Sequence, residues 1–137
     1  MSERLLLVLG FLALLTALWL GARFFDRWQR RRLGRLVAGR DRPTVLYFFT
    51  PDCHQCRRVQ APVLEALRRA VDGAVVVEAI DASRHPDLAA RYGVLTVPTT
   101  VVVVGGAVRA VNRGPVGLAT LRRQLGLAEP AAAPMAG

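Results

Sequence analysis

Residues 44–56 read TVLYFFTPDCHQC, and this stretch decides the fold. Thr44 to Phe49 is β-branched and aromatic, with no polar alternation. Such a run suits a central strand buried on both faces. Thr50-Pro51-Asp52 is a turn signal. From Cys53 to Ala70 the apolar positions Val59, Val63, Leu64 and Leu67 recur with helical spacing, while Arg57, Arg58, Arg68 and Arg69 fall elsewhere. The spacing predicts a helix over 53–70, kinked at Pro62. The chain's two cysteines, Cys53 and Cys56, therefore open a helix just after a buried strand.

Working outward, Asp72-Gly73 stops that helix, and Ala74 to Ile80 reads as a second buried strand. Pro86 to Tyr92 is a short helix with Gly93 as its stop. Thr99 to Val104 is a third strand, Gly105-Gly106 a hairpin turn and Ala107 to Asn112 a fourth strand. Val116 to Leu125 closes the pattern as a helix. The first half is a βαβ unit and the second a helix-covered antiparallel hairpin. The fold class is α/β, with a mixed central sheet flanked by helices.

Upstream lies a different composition. Leu5 to Ala22 carries no charged residue, which is about the shortest apolar run able to cross a bilayer as a helix. Trp19, Phe24, Phe25 and Trp28 lie near its exit, where aromatic rings favour the interface. A signal peptide would need a more basic start and a small-x-small cleavage site, and Leu20-Gly21-Ala22 is a poor one. A buried core helix would not be so uniformly apolar. Eight Arg follow within 23–42, against Arg4 opposed by Glu3 on the amino side. The positive-inside rule then places the carboxyl-terminal domain in the cytoplasm, with the Arg cluster against anionic lipid headgroups. The formal charge of +9 comes from Arg alone, since the chain has no Lys. The cluster's aromatics belong to the membrane exit, so no nucleic-acid partner is expected. The division is a single-pass anchor at 1–22, an Arg-rich juxtamembrane connector at 23–42, a folded domain at 43–127 and a disordered Ala/Pro-rich tail at 128–137. The anchor helix is expected to continue through the connector, with Leu33, Leu36 and Val37 as a weak apolar stripe, until Gly39 to Pro43 breaks it.

Two residues between cysteines hold both thiols on one helical turn. At the first turn, unpaired N–H groups and the helix dipole favour a thiolate on the leading cysteine. The second cysteine, deeper in the helix, stays protonated until it resolves a mixed disulfide. Zinc would need four ligands, and His54 and His85, which alone could join the pair, stand at no finger-like spacing, so neither metal nor cofactor is expected beyond the redox-active Cys53–Cys56 disulfide itself.

The stretch FFTPDCHQC resembles the strand-then-motif signature of the thioredoxin-like family. Val97-Pro98-Thr99, just before the third strand, matches the place of that family's cis-proline. The resemblance covers residues 43–127. It implies that Cys53 attacks, Cys56 resolves, Pro98 is cis, and the backbone of Val97 pairs with a substrate chain. The sequence departs from thioredoxins proper in several places. Asp52 stands where Trp often precedes the first cysteine, and His54-Gln55 replaces Gly-Pro between the pair. Tyr47 stands where a buried Asp is usual, Val77 where its Lys companion lies, and Pro62 sits one residue further from the motif. Protonated His54 would favour the Cys53 thiolate and Asp52 would oppose it, so the sign of the tuning stays open. Asp52, His54 and Gln55 are the candidate tuning residues.

The expected function is thiol–disulfide exchange, in the direction of a protein-disulfide reductase tethered to the membrane. Its partners would be protein disulfides or dithiols and an external electron donor, because the chain holds no third cysteine. Two alternatives stand beside it. One is a tethered adaptor whose dithiol is a switch, and the other an outward-facing disulfide exchange protein.

Overall fold

The computed structural model describes residues 1–128. The expected tail falls almost wholly outside them. Helix α1 spans Ser2–Val37, a single run of 36 residues. Strand β1 is Thr44–Phe49. A π-helical turn, Cys56–Gln60, leads into α2, Ala61–Val71. Then come β2 Val76–Asp81, α3 Pro86–Arg91, β3 Thr99–Val104, β4 Ala107–Arg113 and α4 Leu118–Gln124. The sheet order is β2-β1-β3-β4. β1 pairs parallel with β2 and antiparallel with β3, and β3 pairs antiparallel with β4. This is the mixed α/β architecture the sequence predicts.

Successive residues of β1 point to opposite faces, and both faces are covered. Leu46 and Phe48 join Leu33, Val37, Ala89, Tyr92, Val101 and Val103 under α1 and α3. Val45 and Tyr47 join Cys56, Leu64, Leu67, Val102 and Leu121 under α2 and α4. The near-continuous apolar runs of β1 and β3 follow from this double burial. β2 differs from its expectation. It lies at the sheet edge and is only partly buried, with Ala79 exposed. An apolar run of that length reads the same at an edge as in the middle, because the pattern does not report a missing neighbour.

The kink expected at Pro62 falls next to a change of helix type, the π turn Cys56–Gln60. Proline lacks an N–H and its ring crowds the carbonyl four residues back. Here the π turn relieves that crowding, and the Ala61 N–H reaches back to the Cys56 carbonyl. At the other end, Asp72 and Gly73 adopt left-handed conformations with φ of 41° and 80°. Gly105 and Gly106 both have positive φ, as a two-residue hairpin turn demands.

α1 stops at Val37, and Leu33 and Val37 are buried beneath the sheet. The packed unit therefore draws on residues upstream of Pro43. The Arg40 carbonyl accepts from the Gly106 N–H at 3.1 Å, and the Arg40 guanidinium pairs with Glu78 at 2.8 Å. α4 is fixed to the sheet by reciprocal amide hydrogen bonds between Asn112 and Gln124, each 2.9 Å.

Candidate active site

β1 delivers the chain to Thr50, whose carbonyl accepts from the Cys53 N–H at 3.2 Å. Cys53 and Cys56 form a disulfide with Cα atoms 5.3 Å apart. The two sulfurs occupy different surroundings. Cys53 is partly exposed, whereas Cys56 is buried at 1% relative exposure within the α2/α4 core. The Cys56 N–H donates to the Cys53 Sγ at 3.2 Å, and the Arg57 N–H to the Cys53 carbonyl at 3.3 Å. The first turn of the helix thus wraps the leading sulfur.

Val97 packs against the same cluster as Cys53 and Cys56. The Val97–Pro98 peptide is cis, Pro98 is buried, and its carbonyl accepts from the Gly114 N–H at 2.8 Å. Among the described residues, neither the N–H nor the C=O of Val97 makes a backbone hydrogen bond outside the strand ladder, which begins at Thr99. Asp52, His54 and Gln55 are all exposed. Among the described residues, no group of three or more His, Cys, Asp or Glu gathers as metal ligands would.

Two residues shape the site in ways that local patterns do not report. Tyr47, standing where thioredoxins proper carry an acid, donates its hydroxyl to the Cys56 carbonyl at 3.1 Å. Its ring stacks on Phe49 with centroids 5.5 Å apart. Beside it a cavity of about 280 Å³ is lined by Phe49, Cys56, Ala61 and Arg68. Burial pushes the Tyr47 phenol above its ordinary pKa. A raised tyrosine stays a neutral donor, so its contribution is full below about pH 10 and lost as pH rises through the folded value. Tyr47→Phe keeps the ring and deletes the donor. It is expected to cost about 1 kcal/mol near neutral pH. Denaturant unfolding should show the difference from the unsubstituted chain vanish in strong alkali. A persistent difference there would assign the effect to packing.

Gln60 is the second. It is fully buried, accepts from the Val116 N–H at 2.8 Å and donates to the Val116 carbonyl at 3.3 Å. It ties the cysteine-bearing turn to the loop before α4. The signal for it was a polar residue on the face shared by Cys56, Leu64 and Leu67. Gln60→Leu is expected to cost about 1–3 kcal/mol by stranding both Val116 backbone groups. Unfolding midpoints at unchanged m-value would measure it.

A mixed four-stranded sheet that hands a C-x-x-C pair to a helix, facing a cis-proline loop, defines the thioredoxin-fold dithiol proteins. The comparisons agree. The family model described as Thioredoxin matches residues 29–126. Thioredoxin 1 of Nostoc sp. is 31% identical over 70 residues, covering 51% of this chain and 64% of that protein. The thioredoxin of Synechocystis sp. is 33% identical over 64 residues, covering 47% of this chain and 59% of that protein. The chain thus spans less than two thirds of the length of these relatives. The X-ray structure of Fasciola hepatica thioredoxin superposes with a TM-score of 0.55 at 28% identity, covering 70% of this chain and 88% of that one. The chain belongs to the thioredoxin family.

Proposed function

We propose that the chain is a membrane-tethered thiol–disulfide oxidoreductase working as a protein-disulfide reductase. The observation that carries this reading is the asymmetry of the dithiol. Cys53 is reachable and its sulfur accepts a helix-start N–H, which would stabilise the thiolate once the disulfide opens. Cys56 is buried one turn behind it. Cys53 attacks a substrate disulfide, one substrate sulfur leaves as a thiolate, and a mixed disulfide remains. Cys56 then attacks the Cys53 sulfur, releasing the substrate as a dithiol and leaving the Cys53–Cys56 disulfide. A dithiol donor outside the chain supplies the two electrons for the next cycle. Val97, beside Pro98, offers its free backbone groups to an extended substrate segment. Asp52, His54 and Gln55 flank the entrance and tune it.

The tether is α1, which carries an 18-residue stretch of mean hydropathy 2.5 with none of it buried. The Arg residues of its second half favour a cytoplasmic domain, where thiols are kept reduced. The test is the glutathione redox equilibrium of the full chain in detergent. A potential near about −270 mV supports a reductase. A value above about −180 mV indicates a disulfide donor and reopens the orientation. Labelling of an engineered carboxyl-terminal cysteine by an impermeant reagent, in intact cells, would overturn the cytoplasmic assignment.

A further inference from the structure

We propose that the dithiol pole of the domain is turned toward the bilayer, and that its substrate is a disulfide in an extended segment directly flanking a transmembrane helix of another protein. This rests on the tethered-oxidoreductase reading above and adds its substrate class.

The argument begins with the two ends of the sheet. β1 runs from Thr44 to Phe49 and releases the chain toward Cys53. Phe48 pairs with Thr99, and Thr99 pairs with Arg113, so these residues mark the dithiol pole. Thr44, Val104 and the Gly105-Gly106 turn mark the opposite pole. α1 ends at that opposite pole, where Arg40 bonds to Gly106. Going backward along α1, Leu33, Arg30, Gln29 and Asp26 share a cavity with β4 as far as Arg113. The Gln29 amide also lies 2.9 Å from where a Cβ would sit on Gly93, in the loop that leads to Val97. The helix therefore enters the fold from the dithiol pole.

Gln29 lies seven positions beyond Ala22, a rise of about 10 Å in an α-helix. No proline or glycine interrupts residues 22–33, and the helix is continuous from the apolar segment into the core. The domain is thus held by a short rigid stem rather than a flexible leash. Trp19, Phe24, Phe25 and Trp28 are exposed on that stem. Rings of this kind settle at the headgroup layer, which brings the interface down to the edge of the fold. Leu95 stands 87% exposed in the loop at the same pole. Beside it, Thr50, Ala82, Pro86, Val94 and Val97 line a shallow apolar groove of about 360 Å³.

A gap of this depth admits an extended chain and excludes a folded domain. On the stem between apolar segment and fold, Arg23 and Arg27 are exposed while Asp26 is paired with Arg30, so the segment that fits is acidic rather than basic. Tethering substrate and enzyme in one bilayer raises their effective concentration only where the heights match.

Two measurements test this on the full chain in phosphatidylcholine–phosphatidylglycerol vesicles. In the first, single-span acidic peptides carry a disulfide about five or about forty residues from their apolar segment, on flexible spacers. With dithiothreitol as donor, the near disulfide is expected to be reduced at least about ten-fold faster. A flexible Gly/Ser insertion of about twenty residues between Ala22 and Arg23 should level the two rates while leaving reduction of a soluble peptide disulfide unchanged. Equal rates for near and far with the uninserted chain overturn the inference alone. No reduction of any disulfide overturns the oxidoreductase reading with it. The second measurement needs no catalysis. With both cysteines replaced by Ser, a fluorophore at Leu95→Cys should be quenched by headgroup spin-labelled lipid more strongly than one at Ala107→Cys beside the hairpin turn. The reverse order would overturn the orientation whatever the enzyme does.

Discussion

A Cys56→Ser chain is expected to accumulate as a covalent adduct with its disulfide-bearing partners, and a Cys53→Ser chain to form none. The reason is the division of labour proposed for the two sulfurs. Cys53 is the one a substrate can reach, while Cys56 is sealed at 1% exposure. Without the Cys56 thiol, the mixed disulfide at Cys53 loses its intramolecular exit, and only an external thiol can release it. Without Cys53, the remaining thiol sits in a core where a protein disulfide does not fit. Turnover of a protein disulfide should fall by several orders of magnitude in both variants: one lacks the reachable nucleophile, and the other a resolving thiol whose effective molarity, for well-oriented groups, can reach about 10⁵ M. Non-reducing gels of cells expressing each variant separate the two. Adducts on the Cys53→Ser chain, or none on Cys56→Ser, would reverse the roles or remove the mechanism.

The second large effect concerns where the chain can be cut. A fragment beginning at Gly39 lacks Leu33 and Val37, both buried against Leu46, Val101 and Val103. Each buried aliphatic side chain contributes about 1.5–3 kcal/mol. The two together are worth about 3–6 kcal/mol, out of a total that in small domains is about 5–15 kcal/mol. The Gly39 fragment is expected to lose its cooperative thermal transition or to melt far below a fragment beginning at Arg23. Calorimetry or circular dichroism on the two fragments decides it. Equal melting would mean that the α1 segment packs on the sheet without supporting it.

Much of this fold was legible because its signals are local. Thr44–Phe49 and Thr99–Val104 stand where their apolar runs place them, since a doubly buried strand writes its environment into every residue. The cysteine pair was legible for the same reason, being a spacing set against a strand and a helix start. What stayed hidden depends on partners distant in sequence. The Tyr47 hydroxyl meets a carbonyl nine residues on, and Gln60 meets Val116 fifty-six residues on. The half-exposed edge position of β2 depends on the strand order, which its own residues do not encode. The end of α1 was legible, but the full burial of Leu33 and Val37 showed only as a weak apolar stripe within an Arg-rich run. Their burial follows from the sheet lying beside them.

In the tethered reading proposed above, the fourth strand has a further consequence. Val102 pairs with Ala110 and Val103 with Val108, so Arg109 is an extra residue bulged out of the ladder on the outer strand β4. Open sheet edges invite like edges, and lateral confinement of many copies would multiply such encounters. A bulged, charged Arg109, with exposed Arg113 further along, gives each copy a margin that repels its own image. Copies crowded into one bilayer would then meet along β4 a charged, interrupted margin in place of a continuous ladder.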